Sequence, residues 1–416
     1  IKTGELKKSI DTKSAFLVGH HHRCYRGKAT ERFVIASHRG VEMIDLDDGS
    51  LHVDRWVRAT CHIGFIPANG LLYAPPHPCR CFLEEKLSYM NALAAESAAP
   101  EFVLEPGAPE RLTRGKAYGY QGAPAKATDW PALRHDHKRS GSTPAHVDGT
   151  LEIAWQKQIG RLPTAPTAAE RLLFFGDGKG SVVTALRQDT GAIAWQFLTG
   201  GPVDSPPTYH KGTDIFGASD GRVYCLRAAT GELVWQFLAA RTTRQMCSLG
   251  KFESANPVHG SVTLQDDLVY CTAGRSSFMD GGIQLYALDA ATGEVRKHNT
   301  LTGPRTDFDT FTGGREGLPQ GAKTDVMLAT DDGFYMRGSG YHWDLQPTKD
   351  VASPPFITQS GLLDGNFFKR THWNFPGGYA SVLTFDDTCI YSFRMFDSTR
   401  PLTSEVYFTP GTKGYA

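Results

Sequence analysis

Trp155, Trp195 and Trp235 stand 40 residues apart, and Thr190-Gly191 and Thr230-Gly231 keep the same interval. The stretch DTGAIAWQF is thus answered by ATGELVWQF. A fixed period of about 40 residues, with room for four short strands per unit, is the signature of a β-propeller blade. Within the unit, Ser219-Asp220-Gly221 makes a tight turn in which glycine supplies positive φ. Arg222 to Arg227 then alternates between two faces as a strand, Thr230-Gly231 turns the chain again, and Glu232 to Phe237 forms an outer strand. The tryptophan is expected to pack between neighbouring blades.

The pattern recurs with decay. Gly281 to Asp289 leads to Thr292-Gly293, 62 residues after Gly231, which places an insertion between Arg241 and Asn256. Asp331-Asp332-Gly333, Asp386-Asp387, His38 to Gly49 and Asn69 to Tyr73 mark further turn-plus-strand units. The expected fold is all-β: a propeller of four-stranded blades, seven or eight in number, with incomplete blades at the chain ends. Residues 1–99 read as partial blades carrying a Cys/His cluster, 100–128 as a linker or insertion, and 129–416 as the main blades. Leu83 to Glu96 reads as a short helix. Thr3-Gly4-Glu5-Leu6 matches Thr230-Gly231-Glu232-Leu233, and the chain opens on Ile1, so a processed chain or a piece of a longer one is expected.

Lysine plus arginine and aspartate plus glutamate number 44 each, so no electrostatic footprint for nucleic acid is visible. No apolar run approaches the roughly 18 residues of a membrane helix.

The segments GPVDSPPTYHKGTDIFGASDGRVYCLRAATGELVWQF and GGIQLYALDAATGEV resemble pyrroloquinoline-quinone-type (PQQ-like) propeller repeats, and Asp129 to Thr143 resembles the lead-in found before such repeats. The cysteine-bearing CYRGKATERF and NGLLYAPPHPCRC segments are similar to large exported proteins of planctomycete-type bacteria. The resemblance implies a propeller in the periplasm or outside the cell. It covers both quinoprotein alcohol dehydrogenases and cofactor-free scaffolds of outer-membrane assembly, and so implies no single reaction. Dehydrogenases of this class carry a vicinal cysteine pair over the quinone. This sequence has no Cys-Cys dipeptide, and no Glu/Asn/Asp set for calcium can be assigned, which counts against PQQ.

Candidate chemistry lies first in Cys24, Cys61, His62, His77, Cys79 and Cys81, with His20-His21-His22 nearby. Three readings stay open. Cys24 and Cys61 form a disulfide that staples adjacent blades, as suits an exported protein. Alternatively the four cysteines, with His62 or His77, hold a zinc-like metal through thiolate and imidazole. Or the thiols have no role. The Cys79-Arg80-Cys81 spacing resists a mutual disulfide. Cys225, Cys271 and Cys389 read as small core residues within strands, and Cys247 falls in the insertion. Aligning blades by their turns sets Cys24 opposite Ser205, and Cys61 and His62 opposite Val203 and Asp204. His259 falls close to the same place in its own blade, so these residues are expected to ring one mouth of the channel.

A second cluster, Tyr341-His342-Trp343 and Arg370-Thr371-His372-Trp373, joins histidines to aromatic side chains on loops. His342, Arg370 and His372 are the candidate catalytic residues of a lyase acting on acidic polysaccharide, since they can exchange protons and bind acidic groups. The competing reading is loop packing. No phosphate loop, nucleophile elbow or zincin motif occurs. The function expected is a binding or scaffold module for a protein or glycan partner in the bacterial envelope. The alternative is an enzyme at the propeller mouth, of lyase or quinoprotein type.

Overall fold

In a computed structural model the regular structure of the described residues is β, apart from a three-residue turn of 3-10 helix at Pro109–Arg111. The structure describes residues 3–13, 26–36, 40–54, 57, 59–76, 90–95, 103–248, 251–259, 261–277, 279–303, 322–337, 339–351, 354, 356–358, 373–375, 378–380 and 382–393. The chain forms two compact units, one reaching to Glu101 and one starting at Phe102. No helix among the described residues is long and apolar enough to cross a membrane.

The first unit holds two antiparallel sheets. One is the meander β1 (Lys28–Ala29), β2 (Phe33–Ala36), β3 (Val41–Asp45) and β4 (Leu51–Asp54). The other is β5 (Ile66–Ala68), β6 (Leu71–Ala74) and β7 (Asn91–Ala94). Ile35, Val41, Val57, Ala59, Phe65 and Ala74 form its core. β7 lies inside the stretch expected to be helical. Its helix-forming alanines instead pair with β6, Ala92 opposite Tyr73 and Ala94 opposite Leu71, because tertiary pairing outweighs intrinsic propensity.

The second unit begins with β8 (Leu112–Arg114), a strand within the region read as a linker. A first four-stranded sheet follows: β9 (Thr167–Ala169), β10 (Leu172–Gly176), β11 (Val182–Arg187) and β12 (Ile193–Leu198). The second sheet is β13 (Thr208–His210), β14 (Thr213–Gly217), β15 (Arg222–Arg227) and β16 (Leu233–Leu238), with β8 added outside β16. The hairpin β17 (Gln245–Ser248) and β18 (Lys251–Ser254) occupies the predicted insertion. The third sheet is β19 (Thr263–Gln265), β20 (Leu268–Ala273), β21 (Ile283–Asp289) and β22 (Val295–Leu301). The fourth is β23 (Leu328–Ala329), β24 (Gly333–Met336), β25 (Ser339–His342) and β26 (Pro347–Thr348). Strands β27 (Ile357–Thr358), β28 (Trp373–Phe375) and β29 (Gly378–Ala380) make a three-stranded sheet, and β30 (Val382–Phe385) pairs with β31 (Ile390–Phe393).

The repeat has a structural cause. The Trp195 indole donates to the Ala228 carbonyl at 2.8 Å, and Trp235 donates to Ala290 at 3.0 Å. Trp155 makes the equivalent bond to Gln188 at 2.9 Å. Each indole thus rests on the Thr-Gly turn of the following sheet. A bulge falls at one equivalent point in three sheets, after Ala185, Cys225 and Ala287. Apolar clusters lie between consecutive sheets. One joins Phe174, Val183 and Trp195 to Phe216 and Tyr224, and the next joins Ile215, Cys225 and Trp235 to Val269 and Tyr286.

Candidate functional site at the inner strands

The loops leading into the inner strands are built alike. Val203 donates its N–H to Asp177 O, and Val258 donates to Ala218 O, both at 3.1 Å. Both valines are buried. A β-carbon on Gly217 would come 2.2 Å from Val258 Cγ1, so only glycine lets the two segments approach this closely. The next residue in each loop projects from a fixed backbone, and the two are Asp204 and His259. His259 Nδ1 is hydrogen-bonded to Asp204 Oδ2. Their side chains are 30% and 22% exposed. The sequence alignment expected both residues at one rim, and the structure joins them.

Burial disfavours an imidazolium at His259. The Asp204 carboxylate, through charge and hydrogen bond and aided by Glu253, outweighs that and raises the pKa above its ordinary value. Around the pair stand groups that sequence reading did not single out. Lys251, from the β17–β18 hairpin, donates to Gly178 O at 2.6 Å and ties the hairpin across to the first sheet. Burial lowers the Lys251 pKa. Arg275 pairs with Glu253, each 13% exposed, and donates to Ala255 O at 2.9 Å. The hairpin also exposes Phe252, 72% accessible. The only sequence signal for these residues was the 62-residue interval that breaks the period.

The opposite ends of the inner strands meet the segment Trp130–Ser140. Trp130 exchanges two backbone hydrogen bonds of 2.8 Å with Ala168, next to which Tyr209 N–H donates to Pro131 O at 2.7 Å. Leu264 N–H donates to His137 Nδ1 at 3.4 Å. Ala329 N–H donates to His137 O at 2.8 Å, and Phe385 N–H to Ser140 O at 3.1 Å. One segment therefore binds β9, β13, β19, β23 and β30 in turn. Near its end the Arg139 guanidinium, with no solvent exposure, donates to the carbonyls of Met327, Val262 and Leu133. Burial pushes the Arg139 pKa down to about 10 and that of His137 down to about 3. Because His137 Nδ1 accepts, the neutral ring carries its proton on Nε2.

Of the other sequence candidates, Cys61 and His62 lie together in the turn after Thr60, with His62 at φ +72° and exposed. Cys24, His77, Cys79 and Cys81 lie outside the described residues, as do His20, His21, His22, Arg370 and His372. Among the described residues no three His, Cys, Asp or Glu side chains converge to hold a metal ion. His342 ends β25, half-buried, and its backbone closes the turn to Gln346 at 2.9 Å. Its neighbour Trp343 packs 4.8 Å from the Tyr270 ring and 5.7 Å from that of Phe334. Cys225 and Cys271 are buried core thiols, and Cys247 is exposed on the hairpin. Cys389 is exposed as well, where a core position was expected. It sits in the turn that the Asp386 carboxylate caps.

Residues 140–333 match the family described as outer membrane protein assembly factor BamB, whose PQQ-like repeats the sequence resembles. No curated protein matches the chain. Among solved structures, it is similar to a quinohemoprotein alcohol dehydrogenase from Comamonas testosteroni: 22% identity, 42% of this chain and 28% of that one, TM-score 0.35. It is similar to a europium-containing methanol dehydrogenase: 16% identity, 52% and 43% coverage, TM-score 0.39. It is also similar to BamB from Moraxella catarrhalis: 14% identity, 89% and 93% coverage, TM-score 0.37. The chain spans 28% of the length of the first of these.

Proposed function

We propose, on the premise that residues 140–333 are PQQ-like repeats, that this chain is a non-catalytic binding module of the bacterial envelope. Its sheets serve as propeller sectors, and a protein partner docks at the mouth marked by Asp204 and His259. The observation that supports this reading is that Trp130–Ser140 hydrogen-bonds in turn to the first strands of five sheets, with Arg139 near its end wholly buried. A planar quinone bound on the axis needs the space there, together with a vicinal cysteine pair. In this reading the chain's own segment takes that space; the sequence has no Cys-Cys dipeptide, and on both counts the residues present do not fit PQQ.

The mouth suits a protein surface. His259, Asp204, Lys251, Glu253 and Arg275 offer both signs of charge over a small area, and exposed Phe252 offers an aromatic anchor. Residence in the periplasm, or outside the cell, follows from the same repeat class and belongs to the proposal.

A photo-crosslinking side chain placed at Phe252 in the native cell tests this. One discrete adduct is expected, and it should fade when Asp204 and His259 are both changed to alanine. Adducts with many unrelated proteins, or an adduct indifferent to the mouth variants, would contradict it. A second reading is a mouth enzyme, favoured by the carboxylate-oriented imidazole that proton abstraction requires. An ultraviolet-absorbing unsaturated product from a uronate polymer, lost in His259→Ala, would establish that instead.

A further inference from the structure

Strands β12 and β16 are near twins, IAWQFL and LVWQFL, each at the outer edge of its own four-stranded set. The chain shows what such an edge accepts. β8 lies antiparallel on β16, with Arg114 opposite Trp235, Thr113 opposite Gln236 and Leu112 opposite Phe237. Gly115 N–H then donates to Val234 O at 2.8 Å, and Ala117 N–H to Leu233 O at 3.1 Å. A β-carbon at Gly115 would fall 1.9 Å from the Leu233 oxygen, so this crossing demands glycine. Leu112 reaches the seam where Gly293 meets Trp235, and Arg114 lies 3.8 Å from Glu294.

β12 has the same edge without the cover. Leu198 is 80% exposed where its twin Leu238 is 5% exposed. No described strand pairs with the outer side of β12. Other outer edges are protected differently: β22 carries Arg296, Lys297 and His298, charged and polar side chains that discourage a further strand. Among the described residues β12 has no covering strand, and it carries no charged side chain. The groove beside it repeats the features that hold β8, with Gly231 against Trp195 in place of Gly293 against Trp235, and Glu232 in place of Glu294.

We infer that the outer edge of β12 receives an extended segment of a protein partner as a fifth strand. The segment runs antiparallel to β12, with an apolar residue opposite Phe197, a basic residue opposite Trp195 and glycine directly after it. The backbone of Gln196 supplies the central hydrogen bonds, since Val234 and Leu238 in the twin strand both turn their carbonyls outward and Gln236 lies between them. The inference rests on the binding-module reading but uses a different surface from the mouth.

The probe is a fluorescein-labelled peptide of residues 110–118, ERLTRGKAY, titrated with the full chain and followed by anisotropy. Saturable one-to-one binding is expected. A peptide carrying Gly115→Val should bind at least about tenfold more weakly, a loss that needs no change in the protein. Gln196→Pro in the chain should abolish binding while the unfolding midpoint stays, because an edge strand tolerates proline where its N–H faces outward. No saturable binding overturns the inference. So does binding indifferent to Gln196→Pro, which would mean exchange with β8 on β16. Dimerisation of the chain alone at rising concentration would give the edge to a second copy and overturn it too. His259→Ala should leave peptide binding intact, so failure here and failure of the mouth reading are separate results.

Discussion

The Gly231 α-carbon lies directly beneath the Trp195 indole: a β-carbon there would sit 2.7 Å from Trp195 Cδ2, and Gly231 holds φ at +73°. Gly293 and Trp235 repeat the relationship at 2.7 Å and +73°, and Gly191 and Trp155 repeat it at 2.6 Å and +66°. The glycine of one sheet and the tryptophan of the sheet before it are therefore a single device. Neither can vary alone.

Gly231→Ala should destabilise the second unit by about 1–3 kcal/mol, through left-handed backbone strain and overpacking against the indole. Trp195→Ala should cost about 3–5 kcal/mol. The double variant should cost less than the sum, since the alanine methyl then occupies the space the indole leaves. Urea midpoints of the four proteins check this.

Asp214, wholly buried on β14, has neither carboxylate oxygen bonded among the described residues. Burial first, then the nearby Glu170 charge, raises its pKa well above the ordinary carboxylate value. The folded chain thus keeps a proton that the unfolded chain releases above about pH 4. The stability tied to that proton is full below the unfolded pKa and is lost as pH rises toward the folded one, by at most about 1.4 kcal/mol per pH unit. Asp214→Asn removes the titration. Its stability relative to the native chain should climb steadily between pH 4 and pH 7, as urea unfolding across that range would show.

Arg139→Lys should be strongly destabilising despite keeping the charge. The planar guanidinium serves carbonyls from three directions, and a lysine ammonium would leave some of them buried and unbonded. Each unmet carbonyl costs about 1–3 kcal/mol. A fall in melting temperature, with faster exchange of the Tyr209, Leu264 and Ala329 amides, is the expected readout.

For His259, burial opposes protonation but Asp204 overrides it, so the folded pKa stands above the unfolded one. Its stabilising contribution is therefore full below about pH 6.5 and is lost as pH rises through the folded value. In Asp204→Asn, burial prevails and the His259 pKa should drop below the ordinary histidine value. NMR titration of the ring protons of both proteins measures the reversal.

The repeat was legible because its residues act locally and recur: Thr-Gly turns the chain, tryptophan seats on it, and a 62-residue interval announces an inserted hairpin. Asp204 and His259 could be brought together from turn alignment alone, since each stands 8 residues before an equivalent hairpin turn residue, Gly212 and Asp267. The contacts of Trp130–Ser140 could not. Arg139 bonds to Val262 and Met327 across 123 and 188 residues, and nothing local in LRHDHKRS encodes those partners. β8 was hidden in a region rich in proline and glycine for the same reason: three residues become a strand only because β16 offers an edge. Cys389 misled because its apolar flanks resemble a buried strand, while the Asp386 turn holds it at the surface.

The proposed occupation of the axis by Trp130–Ser140 is tested most directly by titrating the purified chain with pyrroloquinoline quinone and calcium and following quinone absorbance after dialysis. Retention no greater than that of an unrelated protein is predicted by the proposal that Trp130–Ser140 occupies the axis of a ring. One quinone retained per chain, displaced by no competitor for the surface, would contradict the binding-module reading and return the chain to the quinoproteins.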